Sequence, residues 1–428
     1  DVLAELAING GHPVRGERAW PSWPEIDDKT DAKLLQALHS RRWAISWPGD
    51  GTKSNERQFA EQFAAYCDRP FCIPVDHGSS ALVVALQGLG IGPGDEVIVP
   101  VLTWVASASA VLRVGALPIL ADVDPRTGCL SPAAVVDALS PRTRAIIAVH
   151  LGSTIAELDK LMHIADAAGL HLIEDCAQAH GARWGGRAVG SWGVVGAFSF
   201  QHGKVLAAGE GGAVVTGEES LYLTMQQLRA DSRAYLGGAA VPGEMELVEL
   251  GETMGVNYSM SELHAAVLLD QLSRLDAQHE RRERFAQELE EGLSALGGFA
   301  PVPLPEAAER RSIYEYGIRF EPGTFGVAPV ERIAAAVGAE LRRRVYPPDV
   351  PLNRSVLFRP GTTRRYSTTW TSVDERRSIG RDYPNAESFR ETTLLLHHAA
   401  LLGDSADVRD ILDALDKVRA QAAKIPIG

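Results

Sequence analysis

Between residues 70 and 216, short apolar runs alternate with stretches of helical periodicity. Phe71–Val75, Glu96–Pro100, Leu117–Val123, Ala145–His150, His171–Cys176, Val194–Phe200 and Gly212–Thr216 read as strands, being rich in Val and Ile and bounded by turn residues. Ser80–Gly88, Ala106–Val114, Pro132–Leu139 and Ala156–Ala168 repeat their apolar positions at helical spacing. Apolar strands separated by helices predict a largely parallel sheet covered on both faces. No helix separates 194–200 from 212–216, so a mixed sheet with a hairpin-like end is expected.

A long helix follows over Ser261–Leu296, with Leu263, Ala266, Val267 and Leu269–Leu272 on its apolar side. The run Glu280-Arg281-Arg282-Glu283-Arg284 interrupts that pattern and reads as a solvated helix face. Beyond it lies a smaller α/β unit, with strands at Ile313–Phe320 and Thr392–Ala399 and helices at Val330–Val337 and Ala406–Lys424. The expected division is a large domain over 1–270, including an N-terminal segment, and a smaller C-terminal α/β domain over 271–428. Residues 354–390 are polar, punctuated by Pro and Gly, and carry eight arginines. A loop of that length is expected to be functional or partly disordered.

Composition narrows the class. The 428 residues are 45% hydrophobic and 23% charged, enough for an enzyme-sized core. A formal charge of −13 with no basic block disfavours nucleic acid and anionic membranes as partners. Cys67, Cys72, Cys129 and Cys176 form neither a metal-ligand pattern nor a disulfide framework, so no metal and a reducing cytoplasm are expected. No apolar run is long enough to span a bilayer, and Asp1–Glu5 lacks a basic stretch before an apolar one.

Two motifs carry chemistry. Ile173-Glu174-Asp175-Cys176-Ala177-Gln178-Ala179-His180 ends an apolar strand in acids, where ligands sit in open α/β sheets. Ser199-Phe200-Gln201-His202-Gly203-Lys204 ends another strand and leads to the turn Gly209-Glu210-Gly211-Gly212. A Lys buried at such a place has its pKa lowered and becomes a nucleophile toward carbonyls. Asp175 with Lys204 is what pyridoxal phosphate requires: the acid keeps the ring nitrogen protonated and the amine holds the aldehyde. The phosphate needs a helix N-terminus, and Asp76-His77-Gly78-Ser79-Ser80 supplies one. Ser199 is a further donor, and Trp104 follows a strand end where it can lie on the ring. Taken singly, Asp175 reads equally as a helix cap and Lys204 as a surface residue. The glycine series at 88–94 imitates a dinucleotide fingerprint, but it joins a helix to a strand, the reverse of the required order.

The ordered motifs Gly78-Ser79-Ser80-Ala81-Leu82, Gly94–Pro100, Asp122-Val123-Asp124, Glu174–Gln178 and Lys204…Gly209-Glu210-Gly211-Gly212 resemble the DegT/DnrJ/EryC1/StrS aminotransferases. The segments 42–46, 227–233, 257–262 and 396–399 look most like the branch that aminates 2-deoxy-scyllo-inosose with L-glutamine in aminoglycoside antibiotic biosynthesis. The resemblance implies a fold type I pyridoxal-phosphate scaffold and a homodimer with shared sites. It makes Lys204 the aldehyde-holding amine, Asp175 the ring-nitrogen partner, Trp104 the stacking ring and Gln178 a neighbour of the cofactor hydroxyl. Gly78, Ser79, Ser80 and Ser199 would hold the phosphate, with Asn257 reaching over from the second subunit. Arg42, His150, Tyr346, Asp349 and Asn353 become candidates for substrate contact. Several depart from the branch: Gly152-Ser153 stand where an aromatic and Gly are common, Tyr346-Pro347-Pro348-Asp349 replaces His-Pro-Pro-Tyr, and Asn353 replaces a His.

The expected activity is transamination from glutamine, or glutamate, to a keto-inositol. Rival readings keep the cofactor: a nucleotide-keto-sugar aminotransferase, or a dehydratase of the aminodehydroquinate type. Lys204 argues against the related sugar 3-dehydratases, which carry His there, and with Asp175 against a non-catalytic scaffold.

Overall fold

The computed structural model describes residues 5–427, so Asp1–Ala4 of the N-terminal stretch lie outside the described residues. Two helices come first, α1 (Asp28–His39) and α2 (Asn55–Tyr66). Then follow β1 (Phe71–Val75), α3 (Gly78–Gly88), β2 (Glu96–Pro100), α4 (Ala106–Arg113) and β3 (Leu117–Ala121). They continue with α5 (Pro132–Ala138), β4 (Thr143–Val149), α6 (Leu158–Ala168), β5 (His171–Asp175), β6 (Val195–Ser199), β7 (Gly212–Thr216) and α7 (Glu219–Arg229). The seven strands form one sheet in the order β1-β7-β6-β5-β4-β2-β3. Strand β7 alone runs against its neighbours, pairing β6 from Val195↔Thr216 to Ser199↔Gly212 and β1 from Phe71↔Thr216 to Val75↔Gly212. The mixed sheet expected from the missing helix is present, but β1, rather than the β6–β7 pair, forms that edge.

Alternation along the strands fills two layers. Val97, Val99, Ile147, Ile173 and Val214 enter a core with α3 and α4. Ile98, Ile146, Leu172, Phe198 and Val215 enter the opposite core with α2 and α6. Both faces are covered, which explains why these strands read as unbroken apolar runs.

Helix α8 (Glu262–Leu296) is continuous through the charge run. The expectation of a solvated face fails at Arg282, which is 0% exposed. Its Nη2 meets His398 Nδ1 at 3.1 Å, and its guanidinium lies 5.4 Å from the Trp23 ring centroid. Burial lowers its pKa to about 9. The helix packs Ala265, Leu268, Leu269 and Leu275 into the second core, and Phe285, Ala286, Leu289 and Leu293 into a third. That third core belongs to an antiparallel sheet of β8 (Phe299–Pro301), β9 (Glu315–Phe320) and β10 (Thr393–His397), covered by α9 (Val330–Leu341) and α12 (Ser405–Ala420).

Residues 354–390 are not an irregular loop. They contain α10 (Ser372–Ser378) and α11 (Pro384–Glu391), and Phe358, Trp370, Tyr383, Ala386 and Phe389 join the first core of the large sheet. The sparse apolar residues were spaced too widely for a helical stripe, so periodicity missed them. No described helix is long and apolar enough to cross a membrane.

Candidate active site

The parallel strands of the large sheet end on one side, and reactive side chains gather there. Asp175 closes β5 and Ser199 closes β6, while α3 begins just beyond β1. A cavity of about 730 Å³ lies between this edge and the start of β9. Gly78, Ser79, Trp104, Asp175, Gln178, Ser199 and Lys204 line it, as do Tyr346 and Asp349.

Asp175 is buried and held from both sides. Its Oδ2 accepts the Ser107 hydroxyl at 2.7 Å and its Oδ1 accepts the Ala177 amide at 3.1 Å. Ser107 Oγ is also 3.2 Å from Thr103 Oγ, so a short hydroxyl chain sets the carboxylate's angle. Ser107 belongs to no sequence motif, because a Ser within an apolar helix gives no signal until the strand beside it is known.

Lys204 lies in the connection between β6 and β7. Its carbonyl neighbour Gly203 O accepts from His397 Nε2 at 2.7 Å and from His398 Nε2 at 3.0 Å, fixing the turn against the C-terminal sheet. The Lys204 amine sits 4.1 Å from the Tyr314 ring centroid, and among the described residues it has no ion pair or hydrogen bond. Burial pulls its pKa below the ordinary lysine value, against the attraction of Glu315, Asp175 and Asp349. An amine that is neutral part of the time is available to carbonyls.

Helix α3 presents an open N-terminus to the same space. Its cap residue His77 makes no side-chain cap bond, leaving first-turn amides for an anion. Gly78 is needed for the approach: a Cβ there would stand 2.6 Å from Ser199 Cβ. Trp104 is 54% exposed at the cavity wall, unusually open for an indole. Gln178 Oε1 accepts the Gly152 amide at 2.6 Å, tying the end of β5 to the loop after β4.

Other expected residues sit elsewhere. Ser80 is buried and does not line the cavity, and Asn257 is exposed, its Oδ1 accepting the Ser259 amide. Arg42 pairs with Glu246 at 2.9 Å, away from the cavity. Asn353 donates to Arg381 O at 3.1 Å and is likewise outside. His150 is 0% exposed and does not reach the cavity. Its Nε2 is 3.1 Å from Glu174 Oε1, and its Nδ1 accepts the Ala156 amide. Glu174 also accepts the amides of Gly190, Trp192 and Gly193. Burial pushes the Glu174 carboxyl up, but His150 and those amides outweigh it and hold the carboxyl below the usual range. These two residues knit the back of the sheet rather than meeting a ligand.

Sequence reasoning missed Glu315, the first residue of β9, because a lone acid within the run Ile313–Phe320 gives no signal until the strand's neighbours are known. In the structure it lines the cavity, and its Oε1 accepts the Tyr346 hydroxyl at 2.9 Å. Burial pushes its carboxyl up to about 7; the Tyr346 hydrogen bond opposes the shift and Asp349 adds to it.

The DegT/DnrJ/EryC1/StrS aminotransferase family matches residues 25–416. The chain is 47% identical over 416 residues to an L-glutamine:2-deoxy-scyllo-inosose aminotransferase of Micromonospora echinospora, covering 97% of this chain and 98% of that one. It is 46% identical to an L-glutamine:scyllo-inosose aminotransferase of Streptomyces griseus, over 97% of each. Among solved structures, 3-amino-5-hydroxybenzoic acid synthase superposes with a TM-score of 0.80 at 32% identity, covering 94% of this chain and 99% of that one.

Proposed function

This chain belongs to the DegT/DnrJ/EryC1/StrS aminotransferase family, and we propose that it moves the amino group of L-glutamine to a keto-inositol. The acceptor is scyllo-inosose or its 2-deoxy form, and the cofactor is pyridoxal 5'-phosphate. One observation carries the chemistry: an unpaired amine, a fixed carboxylate and an uncapped helix N-terminus converge on one cavity. The full-length likeness to two inosose aminotransferases supports the donor and the acceptor.

The residues fit the cofactor. About 730 Å³ is in the range of small-molecule sites, and each cofactor function has a complementary group. When bound, pyridoxal phosphate supplies an exchangeable aldehyde and a ring that withdraws electrons. The first-turn amides of α3, with the Ser79 and Ser199 hydroxyls, bind the phosphate. Trp104 covers a ring face and excludes water. Asp175 holds a proton at the ring nitrogen, and its two hydrogen bonds keep it from turning away. Lys204 Nζ would be the amine that holds the aldehyde and, once free, the base that takes the donor's Cα proton and the acid that returns it. Its lowered pKa suits both tasks. The amination half repeats these proton movements in reverse order, so kinetics are ping-pong.

Asn257 is assigned to the second copy of a homodimer, where it completes the phosphate site. Its exposure, and that of Trp43, Trp47 and Met254, supports a covered face there. The test is direct. The cofactor-loaded protein is incubated with L-glutamine and, separately, with scyllo-inosose, 2-deoxy-scyllo-inosose, a nucleotide-linked keto-sugar and a dehydroquinate-type acid, and products are read by mass spectrometry. Amination of either inosose is expected. Turnover of a nucleotide-linked or acidic ketone, with neither inosose reacting, overturns the acceptor assignment.

A further inference from the structure

The cavity wall opposite Asp175 is made by the start of β9 and the turn after α9, and it is acidic. Glu315 offers one oxygen to Tyr346 Oη at 2.9 Å, and no other hydrogen bond or ion pair reaches its carboxyl among the described residues. Asp349, three residues after Tyr346, lines the same wall without such a partner. The nearby guanidinium groups attract the two carboxyls, Arg344 for Glu315 and Arg390 for Asp349, but neither forms an ion pair with them. Arg390 is bound to Glu331 at 2.7 Å, and Arg344 lies over the Tyr346 ring, 4.7 Å from its centroid.

Behind both acids is a small recess lined by Leu102, Leu151, Val302, Phe389 and Leu395. Thr103, Thr127 and Ser153 also line the recess, but among the described residues no hydrogen bond joins any of them to either carboxyl, so the open oxygens are left to take partners from the cavity. Glu315 is also placed rigidly. Its amide and that of Tyr314 donate to Gly152 O, at 3.4 and 3.0 Å. Gly152 has φ +64°, and a Cβ there would meet Glu315 O at 3.0 Å. The glycine therefore lets β9 close against the loop that Gln178 holds from the other side.

We propose that Glu315, aligned by Tyr346, is the acceptor-recognising acid of this enzyme: it takes ring hydroxyls as donors, and with Asp349 it selects an uncharged polyhydroxy ketone over one bearing phosphate or carboxylate. Hydroxyl groups satisfy the open oxygens, whereas an anion adds like charge to a wall already short of donors. This rests on the reading that the substrate is a cyclic ketone, and it adds the residue that makes the choice. Glu315 is a specificity residue here; the proton transfers remain with Lys204.

The experiment titrates the cofactor-loaded protein with scyllo-inositol, an unreactive ring, by calorimetry. In parallel, kcat and KM are measured for scyllo-inosose and for a nucleotide-linked keto-sugar. Glu315→Ala is expected to weaken scyllo-inositol binding about tenfold or more, the scale of a hydrogen bond to an ionisable group. The inosose KM should rise more than its kcat falls. Glu315→Gln, which still accepts from Tyr346, should bind the ring with intermediate affinity and shift the preference toward the anionic ketone by about tenfold. Tyr346→Phe serves as a second variant that leaves the carboxyl in place, and melting temperatures check that each protein is folded. Unchanged inositol affinity and unchanged preference in folded Glu315 variants overturn the assignment of Glu315 while leaving the cyclitol reading intact. A parent protein that aminates only the nucleotide-linked sugar overturns that reading and the proposed selectivity together.

Discussion

Replacing Asp175 by Asn separates charge from shape at the deepest point of the site. The carboxylate accepts two hydrogen bonds, from Ser107 Oγ at 2.7 Å and from the Ala177 amide at 3.1 Å. An Asn can keep its oxygen on the Ala177 amide, which has no alternative role as an acceptor, and turn its NH2 toward Ser107. The Ser107 hydroxyl then rotates to Thr103 Oγ, 3.2 Å away, so no buried polar group is stranded. The expected stability change is therefore within about 1 kcal/mol, a shift of a few degrees or less in melting temperature. The catalytic loss is much larger. A carboxylate that keeps the ring nitrogen protonated, so that the ring could take up the electron pair left when the donor's Cα loses its proton, is worth roughly 10²–10³ in rate, or about 2.7–4 kcal/mol. Stopped-flow absorbance of the cofactor on mixing with L-glutamine measures that step, and circular dichroism measures the melt. A variant with kcat within about twofold of the parent and an unchanged melt would make Asp175 no more than a cap for Ala177. A collapse of the melt would refute the hydrogen-bond exchange worked out above.

Other consequences follow from the same geometry. Lys204→Ala should abolish turnover yet still bind cofactor, and Lys204→Arg should not rescue it, because a guanidinium stays protonated; near-normal transamination by either variant counts against Lys204. Mixing inactive Lys204→Ala protein with an inactive Asn257→Ala variant should restore part of the activity through hybrid dimers, whereas no recovery argues against shared sites. Glu315 has a folded pKa of about 7, above its ordinary 4.5. Its contribution to stability is thus fully present below about 4.5 and lost as pH rises through about 7. The melting temperature of the cofactor-free protein should fall across that window, and Glu315→Gln should flatten the fall. Gly152→Ala should cost about 1–2 kcal/mol for its left-handed backbone, measured by denaturant unfolding, and should raise the acceptor KM by displacing Glu315.

The fold type I α/β architecture was legible because each strand of the large sheet is buried on both faces and each helix keeps its period. Boundaries moved by a residue or two, as at β4, where Thr143 and Arg144 join the strand although neither is apolar. That Asp175 and Lys204 face one cavity was equally legible: Asp175 ends β5 and Lys204 follows the end of β6 by five residues, and ends of neighbouring parallel strands lie together. What stayed hidden depends on contacts between distant segments. Arg282 reads as one solvated charge among several until His398 and Trp23 fold over it. Glu315 becomes a cavity residue only when Gly152 admits β9. His150 points the other way: the resemblance made it a candidate for substrate contact, but its two ring nitrogens are taken by Glu174 and the Ala156 amide.

Helix α8 has a mechanical consequence. Its 35 residues run unbroken from the core of the large sheet into that of the C-terminal sheet. No proline interrupts it, and its one glycine, Gly292, lies beyond the crossing. Hinge rotation of one sheet against the other would have to bend this strut, and a helix kinks sharply only where such a breaker exists. The cavity floor and its acidic wall are thus held at a fixed span. Substrate therefore enters and leaves without one sheet swinging against the other, so exchange is not paced by the slow scale of domain closure.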